Sequence, residues 1–173
     1  MNFKMLQRTC AVIWMLSVFA FGIPAHAAVL MTGNSDISQL EIPSITLSVP
    51  VVVAHFTGTT WDFSNLNDVA GYFEGLPMPG DGSNAIIGAH SELDNNSQGP
   101  FYNLDHVQIN DQIYVTRNRV TYTYVVTKTY YVLPTDISPI SPTKTDTLTL
   151  LTCAGYDQGV YTTRLVVRAE LTH

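Results

Sequence analysis

The chain has 173 residues, of which 46% are hydrophobic and 13% charged, and its formal net charge is −6. This composition excludes an intrinsically disordered chain, because such chains combine low hydrophobicity with high charge. The negative charge weighs against nucleic acid as a partner, since binding to phosphates requires a cationic face.

The N-terminus has the pattern of an export signal. Two basic residues, Lys4 and Arg8, precede an apolar run over residues 11–23, and alanines stand at positions 25 and 27. A charged segment, an apolar segment and a small-residue cleavage site in this order are typical of a signal peptide. We therefore predict that residues 1–27 form a signal peptide and that the protein is exported, to the extracellular space or the cell surface.

A retained membrane anchor is the alternative for the same segment. The apolar run can be extended over residues 9–30, but Gly22 and Pro24 interrupt it before it reaches the length of a bilayer span. In either case, membrane contact is expected only through this N-terminal segment. Residues 28–40 are polar and unpatterned and are predicted to be a flexible lead-in, which leaves residues 41–173 as one folded domain.

The composition after residue 27 favours an all-β fold. Val, Ile, Thr and Tyr account for 52 of these 146 residues, and their side chains pack well on a pleated sheet. Helix formers such as Lys and Glu are scarce. We expect a mostly antiparallel β protein, a sandwich or a barrel, in which helix is restricted to short pieces.

The first half of the domain is predicted to contain two strands. Apolar residues alternate over residues 45–53, which indicates a strand with one buried face. Residues 57–71 have the composition of a loop. A glycine-rich turn over residues 75–82 then leads to a short apolar strand at 85–87, which places His90 at a strand exit.

The second half is predicted to contain a hairpin and two further strands. The predicted elements are a helical turn at 101–104, hairpin strands at 113–116 and 120–133 with a turn near Asn118, a proline-containing surface loop at 134–145, a strand at 147–152, a connection at 154–161 and a final strand at 162–171. The strand at 147–152 ends at Cys153, and the final strand opens near Arg164. A hairpin-like connection would place these two side chains at the same rim of the sheet.

Cys153 is the only cysteine after residue 27, so it cannot form an intramolecular disulfide in the mature chain. A cysteine nucleophile needs a partner that shares its proton and a group that stabilises an oxyanion. His90 and Arg164 supply one of each, which makes Cys153, His90 and Arg164 the candidate catalytic residues. Spacing alone does not decide the matter, because 63 residues separate His90 from Cys153 and many folds could keep them apart.

Each candidate has a more ordinary interpretation. Cys153 could be a small buried packing residue, as free cysteines often are. Arg168 shares a strand face with Arg164, and a strand arginine commonly forms a cross-strand ion pair with a carboxylate. His90 is the only histidine that ends an apolar strand after a glycine. The other histidines of the mature chain are His55, His106 and His173.

No cofactor is predicted. Zinc requires several Cys or His residues at short spacing, which the chain lacks. No Gly-x-Ser-x-Gly motif is present, so a serine hydrolase is unsupported. Calcium is an unsupported alternative, because the oxygen-bearing residues that follow His90 lack the EF-hand spacing. These residues are Glu92, Asp94, Asn95 and Asn96.

Several sequence segments resemble those of the sortases, a family of bacterial surface transpeptidases. The resemblance extends from about Ile42 to Leu171. The segments are Thr149-Leu150-Leu151-Thr152-Cys153, the glycine-rich approach to His90 over residues 80–90, Gly99-Pro100-Phe101-Tyr102-Asn103-Leu104, and Arg164-Leu165-Val166-Val167.

The resemblance implies both a fold and a chemistry. The fold is a closed β-barrel of about eight strands with short helical turns, so that residues 41–173 would be a sortase-like catalytic domain. Cys153 would attack the bond after the threonine of an LPXTG-like sorting signal on a surface protein. An amine nucleophile of the cell wall or of a pilin would then resolve the thioacyl enzyme.

The resemblance also implies roles for the other two candidates. His90 would act as the acid and the base, and Arg164 would stabilise the substrate carbonyl or oxyanion. The loop at 134–145 would help to shape the groove for the sorting signal.

Two other functions are consistent with the same residues. A hydrolytic cysteine peptidase would use water as the acceptor, and added amine would not yield a ligated product. An inactive secreted β-barrel binding module would keep Cys153 as a packing residue, and a buried cysteine resists alkylation.

Overall fold

Eight β-strands and three short 3-10 helices make up the part of the chain that the computed structural model describes, residues 36–93 and 97–172. The strands are β1 (Ile37–Ile42), β2 (Leu47–Ala54), β3 (Ala70–Phe73), β4 (Asn84–Gly88), β5 (Gln112–Arg117), β6 (Val120–Val132), β7 (Thr147–Asp157) and β8 (Val160–Leu171). The 3-10 helices are Pro43–Ile45, Leu104–His106 and Ser138–Ile140.

The eight strands close into a barrel in the order β1-β2-β3-β4-β7-β8-β6-β5. Paired neighbours are antiparallel except at two places, where β3 runs parallel to β2 and β7 runs parallel to β4. The pairing of β5 with β1 closes the barrel. This confirms the predicted fold class, an all-β closed barrel of about eight strands with short helical turns.

The interior of the barrel is the apolar core. Leu148 and Leu150 of β7 and Val167 of β8 are fully buried in it. Because successive side chains of a strand point to opposite faces, Cys153 and Arg164 lie on the outer face of the same two strands.

Two strands lie where the sequence pattern predicts none. Residues 37–40, part of the predicted flexible lead-in, form most of β1, and Ile37 and Leu40 are fully buried in the core. β3 begins at the end of the predicted loop at 57–71 and pairs with β2 through Val51 and Ala70. The prediction of a lead-in is therefore wrong for residues 37–40.

β7 does not end at Cys153 as predicted. Its pairing with β8 continues from Cys153 opposite Arg164 to Asp157 opposite Val160. Gln158 and Gly159 close the hairpin with φ angles of 46° and 91°, as the favoured two-residue turns require. The expected connection over residues 154–161 is thus a continuous ladder, and Cys153 lies within it.

The other predicted elements of the second half are mostly in place. β5 and β6 form the expected hairpin, with Asn118 and Arg119 in the turn at φ angles of 51° and 66°. Residues 133–146 connect β6 to β7 as the predicted surface loop, within which Ser138–Ile140 forms a 3-10 helix. The helical turn expected at 101–104 lies slightly later, at Leu104–His106.

The predictions for the N-terminal segment, a signal peptide or a retained anchor, fall outside the described residues. None of the helices in residues 36–93 and 97–172 is long and apolar enough to cross a membrane.

Candidate active site

The three predicted residues meet where β4, β7 and β8 lie side by side. β4 runs parallel to β7 with Gly88 opposite Leu151. Beyond this pair, the Ala89 amide donates to the Leu151 carbonyl at 3.3 Å, so the two segments stay adjacent. His90 follows Ala89 directly, and the parallel register carries it to the side of Cys153.

Thr152 fixes this junction from the other strand. Its hydroxyl donates to the Ala89 carbonyl at 2.8 Å, and Thr152 is only 5% exposed. A buried hydrogen bond of this kind is costly to leave unmade. The end of β4 is therefore tied to β7 immediately before His90 and Cys153.

His90, Cys153 and Arg164 line one cavity of about 480 Å³. Its floor is the outer face of the barrel, and one wall is the β6–β7 loop, which contributes Pro134, Asp136, Ile137, Pro139 and Ile140. The connection between β2 and β3 also lines the cavity, with Thr59, Thr60, Trp61 and Phe63. The structure thus brings all three predicted residues together at a site open to a ligand.

Cys153 is a partly exposed free thiol outside the hydrophobic core. It also borders a second cavity of about 420 Å³, on the side of Glu92 and Tyr161. A thiol between two cavities can be reached by reactants, which a packing residue in the core cannot. The alternative of a buried filler does not fit this position.

His90 is held by its backbone and by its ring. The Phe101 amide donates to the His90 carbonyl at 2.9 Å, and the ring Nε2 lies 2.9 Å from the Phe63 carbonyl. The edge of the ring also meets Phe63, with centroids 6.4 Å apart at 85°. These contacts restrict both the position and the rotation of the imidazole.

The Phe63 contact selects a tautomer of His90. A carbonyl oxygen only accepts hydrogen bonds, so Nε2 must carry the hydrogen whenever this bond is made. Neutral His90 then has its lone pair on Nδ1. The nitrogen available for proton transfer is therefore Nδ1.

Phe63 belongs to an aromatic cluster that the sequence did not assign to the site. Its ring lies 5.2 Å from Phe73, which lies 4.8 Å from Trp61. The Trp61 indole donates to the Glu74 carbonyl at 2.9 Å. Trp61 and Phe63 are large aromatic residues within a predicted loop, which indicates that this segment packs on the rest of the fold. Phe63 packs against His90.

Arg164 has most of its donors available. Its one hydrogen bond to a described residue runs from Nη1 to the Thr163 carbonyl at 3.1 Å. The other N–H groups of the guanidinium can be directed to a ligand in the cavity, where five fixed donors suit a planar array of oxygens.

Arg168 differs from the expectation of a cross-strand ion pair. Its Nη2 donates to the Pro139 carbonyl at 3.0 Å. The ion pairs found within residues 36–93 and 97–172 do not include it. Arg168 therefore contacts the β6–β7 loop, although it shares a strand face with Arg164.

Neither His55 nor His106 lines the His90 cavity. His55 is 3.3 Å from Glu74 and its side chain is 70% exposed. The Phe56 amide and His55 lower the pKa of Glu74 from its ordinary value by hydrogen bonding. His106 borders the second cavity beside Asp105, and His173 is outside the described residues.

The oxygen-bearing residues after His90 are described only in part. Asp94, Asn95 and Asn96 are outside the described residues, and Glu92 accepts a hydrogen bond from the Tyr161 hydroxyl at 2.7 Å. Burial, followed by this bond to Glu92, raises the pKa of Tyr161. No group of three or more His, Cys, Asp or Glu residues that could hold a metal occurs in the described part of the chain.

A family comparison agrees with this geometry. The profile of the family described as "Sortase domain" matches residues 40–172, which is most of the chain. The chain belongs to the sortase family. Membership identifies a sortase-type transpeptidase and confirms the family that the sequence motifs resemble. Among proteins of curated function, no significant match is found.

Solved sortase structures of several classes have the same fold. The lid mutant of sortase A from Corynebacterium diphtheriae is 32% identical, with a TM-score of 0.65, over 79% of this chain and 70% of that one. Sortase C1 from Streptococcus agalactiae is 30% identical, with a TM-score of 0.68, over 84% and 71% of the two chains. A sortase D5 transpeptidase from Clostridium perfringens, 22% identical with a TM-score of 0.63 over 79% of each chain, shares the fold.

Proposed function

We propose that this sortase cleaves an LPXTG-like sorting signal on surface proteins and transfers the acyl fragment to an amine nucleophile of the cell wall or of a pilin. The observation that carries the proposal is that a free thiol, an oriented imidazole and an available guanidinium line one cavity. Together these groups supply a nucleophile, a proton carrier and an oxyanion stabiliser.

In the first step, the Cys153 thiolate attacks the carbonyl of the threonine in the signal. The S–C bond forms, the C–N bond breaks, and His90 delivers a proton to the departing amine. In the second step, His90 takes a proton from the incoming amine as it attacks the thioacyl carbonyl. The new C–N bond forms and Cys153 leaves as the thiolate.

Nδ1 of His90 is assigned the proton transfers in both steps. The Phe63 carbonyl holds Nε2, so the imidazole carries its second proton at Nδ1 when it is charged.

Arg164 is assigned to the oxygen of the scissile carbonyl. Negative charge develops on this oxygen as sulfur attacks, and fixed donors stabilise the transition state more than the ground state. Arg164 stands directly opposite Cys153 in the β7–β8 ladder, which suits this role.

The β6–β7 loop is assigned to the apolar part of the signal. Pro134, Ile137 and Ile140 present apolar side chains to the cavity that contains Cys153. Contact with such a wall removes the apolar surface of the leucine and proline of an LPXTG-like signal from water, which favours binding. The protein would act at the cell surface after export, with residues 1–27 as signal peptide or anchor.

Peptide cleavage with and without an amine tests the proposal. Residues 36–173 are incubated with LPXTG-like peptides and with an amine such as triglycine, and thioacyl adducts and ligated products are measured by mass spectrometry. We expect a ligated product from the native protein and neither adduct nor product from Cys153→Ala, whose circular dichroism should be unchanged. Formation of the free acid alone would indicate a peptidase. The absence of any adduct from the folded native protein would indicate a binding module.

A further inference from the structure

A polar strip lies on the outer face of the barrel under the β6–β7 loop, away from the three site residues. Asn84 of β4 and Thr149 of β7 belong to it and are 1% and 0% exposed. Their sequence neighbours Ala85, Leu148 and Leu150 point into the core, so both polar side chains point outward. Buried polar groups of this kind are expected to be hydrogen-bonded.

Asn84 uses its amide to hold the loop. Nδ2 donates to the carbonyls of Pro139 and Ser141, both at 2.9 Å. Oδ1 accepts a hydrogen bond from the Thr149 hydroxyl at 2.7 Å. Because carbonyl oxygens only accept, Pro139 and Ser141 fix the amide orientation that points both N–H groups at the loop, and Oδ1 is left to accept from Thr149.

A second donor reaches the same loop carbonyl. Arg168 donates from Nη2 to Pro139 at 3.0 Å, so both acceptor positions of this oxygen are used. The Pro139 side chain is buried, and its neighbours Ile137 and Ile140 line the cavity with Cys153. The Pro139 carbonyl is therefore the point at which two donors from the barrel meet the loop wall of the cavity.

We infer that Asn84, Thr149 and Arg168, here named the Pro139 clamp, are positioning residues that set how tightly the substrate peptide binds. The clamp contacts the loop and none of the proposed reacting groups. An ordered loop has already lost the freedom that a flexible wall would lose when the peptide binds. Loss of the clamp should therefore raise KM and leave kcat nearly unchanged, and this expectation rests on the proposed function.

Thr149→Val is the main test, because it removes the hydroxyl with little change of shape. Asn84→Ala is the stronger variant and is used if circular dichroism shows that it folds. Thr129→Val is the matched control, since the Thr129 hydroxyl is buried on β6 without a partner in the described part of the chain. Hydrogen exchange of amides in residues 135–145 is measured without substrate, and KM and kcat are measured with an LPXTG-like peptide.

We expect Thr149→Val to speed exchange in this loop relative to Thr129→Val and to raise KM about fivefold, the effect of losing one hydrogen bond. Equal loop exchange in the two variants would overturn the clamp. Faster exchange with an unchanged KM would overturn the role of the clamp in binding. A fall in kcat as large as the rise in KM would overturn it as well. If the native protein cleaves no peptide while Thr149→Val still speeds loop exchange, the proposed function fails and so does the role in peptide binding, whereas the hold of the clamp on the loop stands.

Discussion

Cys153 and Arg164 are directly opposed residues of the antiparallel β7–β8 ladder. Opposed residues share a face of the sheet and have neighbouring side chains. The backbone positions of Cys153 and Arg164 are therefore fixed by the ladder and do not depend on a flexible connection. This arrangement makes their relative position insensitive to motion of the surrounding loops.

The charge of Arg164 alone should not suffice for activity. We expect Arg164→Lys to lower kcat/KM by about 10²- to 10³-fold, because an ammonium cannot reproduce the planar donors of a guanidinium. Steady-state kinetics with an LPXTG-like peptide measure the effect. Arg119→Lys is the control, because Arg119 lies at the exposed β5–β6 turn. Arg168 is unsuitable as a control, since it contacts the β6–β7 loop. Activity of Arg164→Lys close to that of the native protein would show that charge is enough.

His90 should be the histidine on which turnover depends. His90→Ala is expected to lower kcat by about 10²- to 10⁴-fold, the usual contribution of general acid–base catalysis. His55→Ala should change kcat little, because His55 is exposed and bonded to Glu74. A loss in His55→Ala as large as in His90→Ala would refute the assignment.

Gly99 should be required for the position of His90. A Cβ at residue 99 would lie 2.4 Å from the His90 carbonyl oxygen and 3.0 Å from the His90 Cβ. Gly99→Ala should therefore displace His90 and lower kcat strongly while Cys153 can still be alkylated by iodoacetamide. Gly75→Ala is the control, because it introduces strain at a φ of +82° with nothing within 4 Å of the added carbon. Similar activity in the two variants would contradict the prediction.

Asp81, in the glycine-rich turn before β4, should make the stability of the fold decrease in acid. Arg117 donates to Asp81 at 2.7 Å and to the Pro79 carbonyl at 2.9 Å, and the bond to Arg117 lowers the pKa of Asp81 from its ordinary value of 3.8. Because the folded pKa lies below the unfolded one, this pair stabilises the fold above about pH 4 and loses the effect as the pH falls further. Urea midpoints measured from pH 7 to pH 3 test it.

Asp81→Asn should lower the midpoint at pH 7, and its difference from the native protein should narrow towards pH 3. Exposed Asp68→Asn is the control and should show no such convergence. A difference that stays constant over this pH range would show that the Asp81 charge is not the cause.

The sequence is most informative where strand pattern and chemistry coincide. His90 follows an apolar strand and a glycine, and the sequence pattern predicts a second strand that ends at Cys153. The pattern therefore finds both residues, although Cys153 in fact lies within β7. The parallel pairing of β4 with β7 brings them together, and no local pattern encodes a pairing between segments about 60 residues apart. The family resemblance supplies that link.

The missed elements have identifiable physical causes. β3 contains only four residues, one of them Gly71, so it has too little alternation to be detected. Gly155 favours a connection in the sequence pattern, because glycine is typical of turns. In the structure it remains within β7 at a φ of +66°. Asn84 lies at a position where the sequence pattern predicts only a strand start, and its role depends on a loop 55 residues further along the chain.

The parallel contact between β4 and β7 also bears on when the chain becomes reactive. Contacts between segments so far apart in sequence form late, because each closes a long loop at an entropic cost. A chain truncated after Asp157 would lack β8, and with it Arg164, and would leave β6 and β7 as unpaired edges. Such a fragment is expected to aggregate or be degraded before it acquires catalytic activity. Cys153 therefore lacks the guanidinium of Arg164 beside it until the last strand has docked.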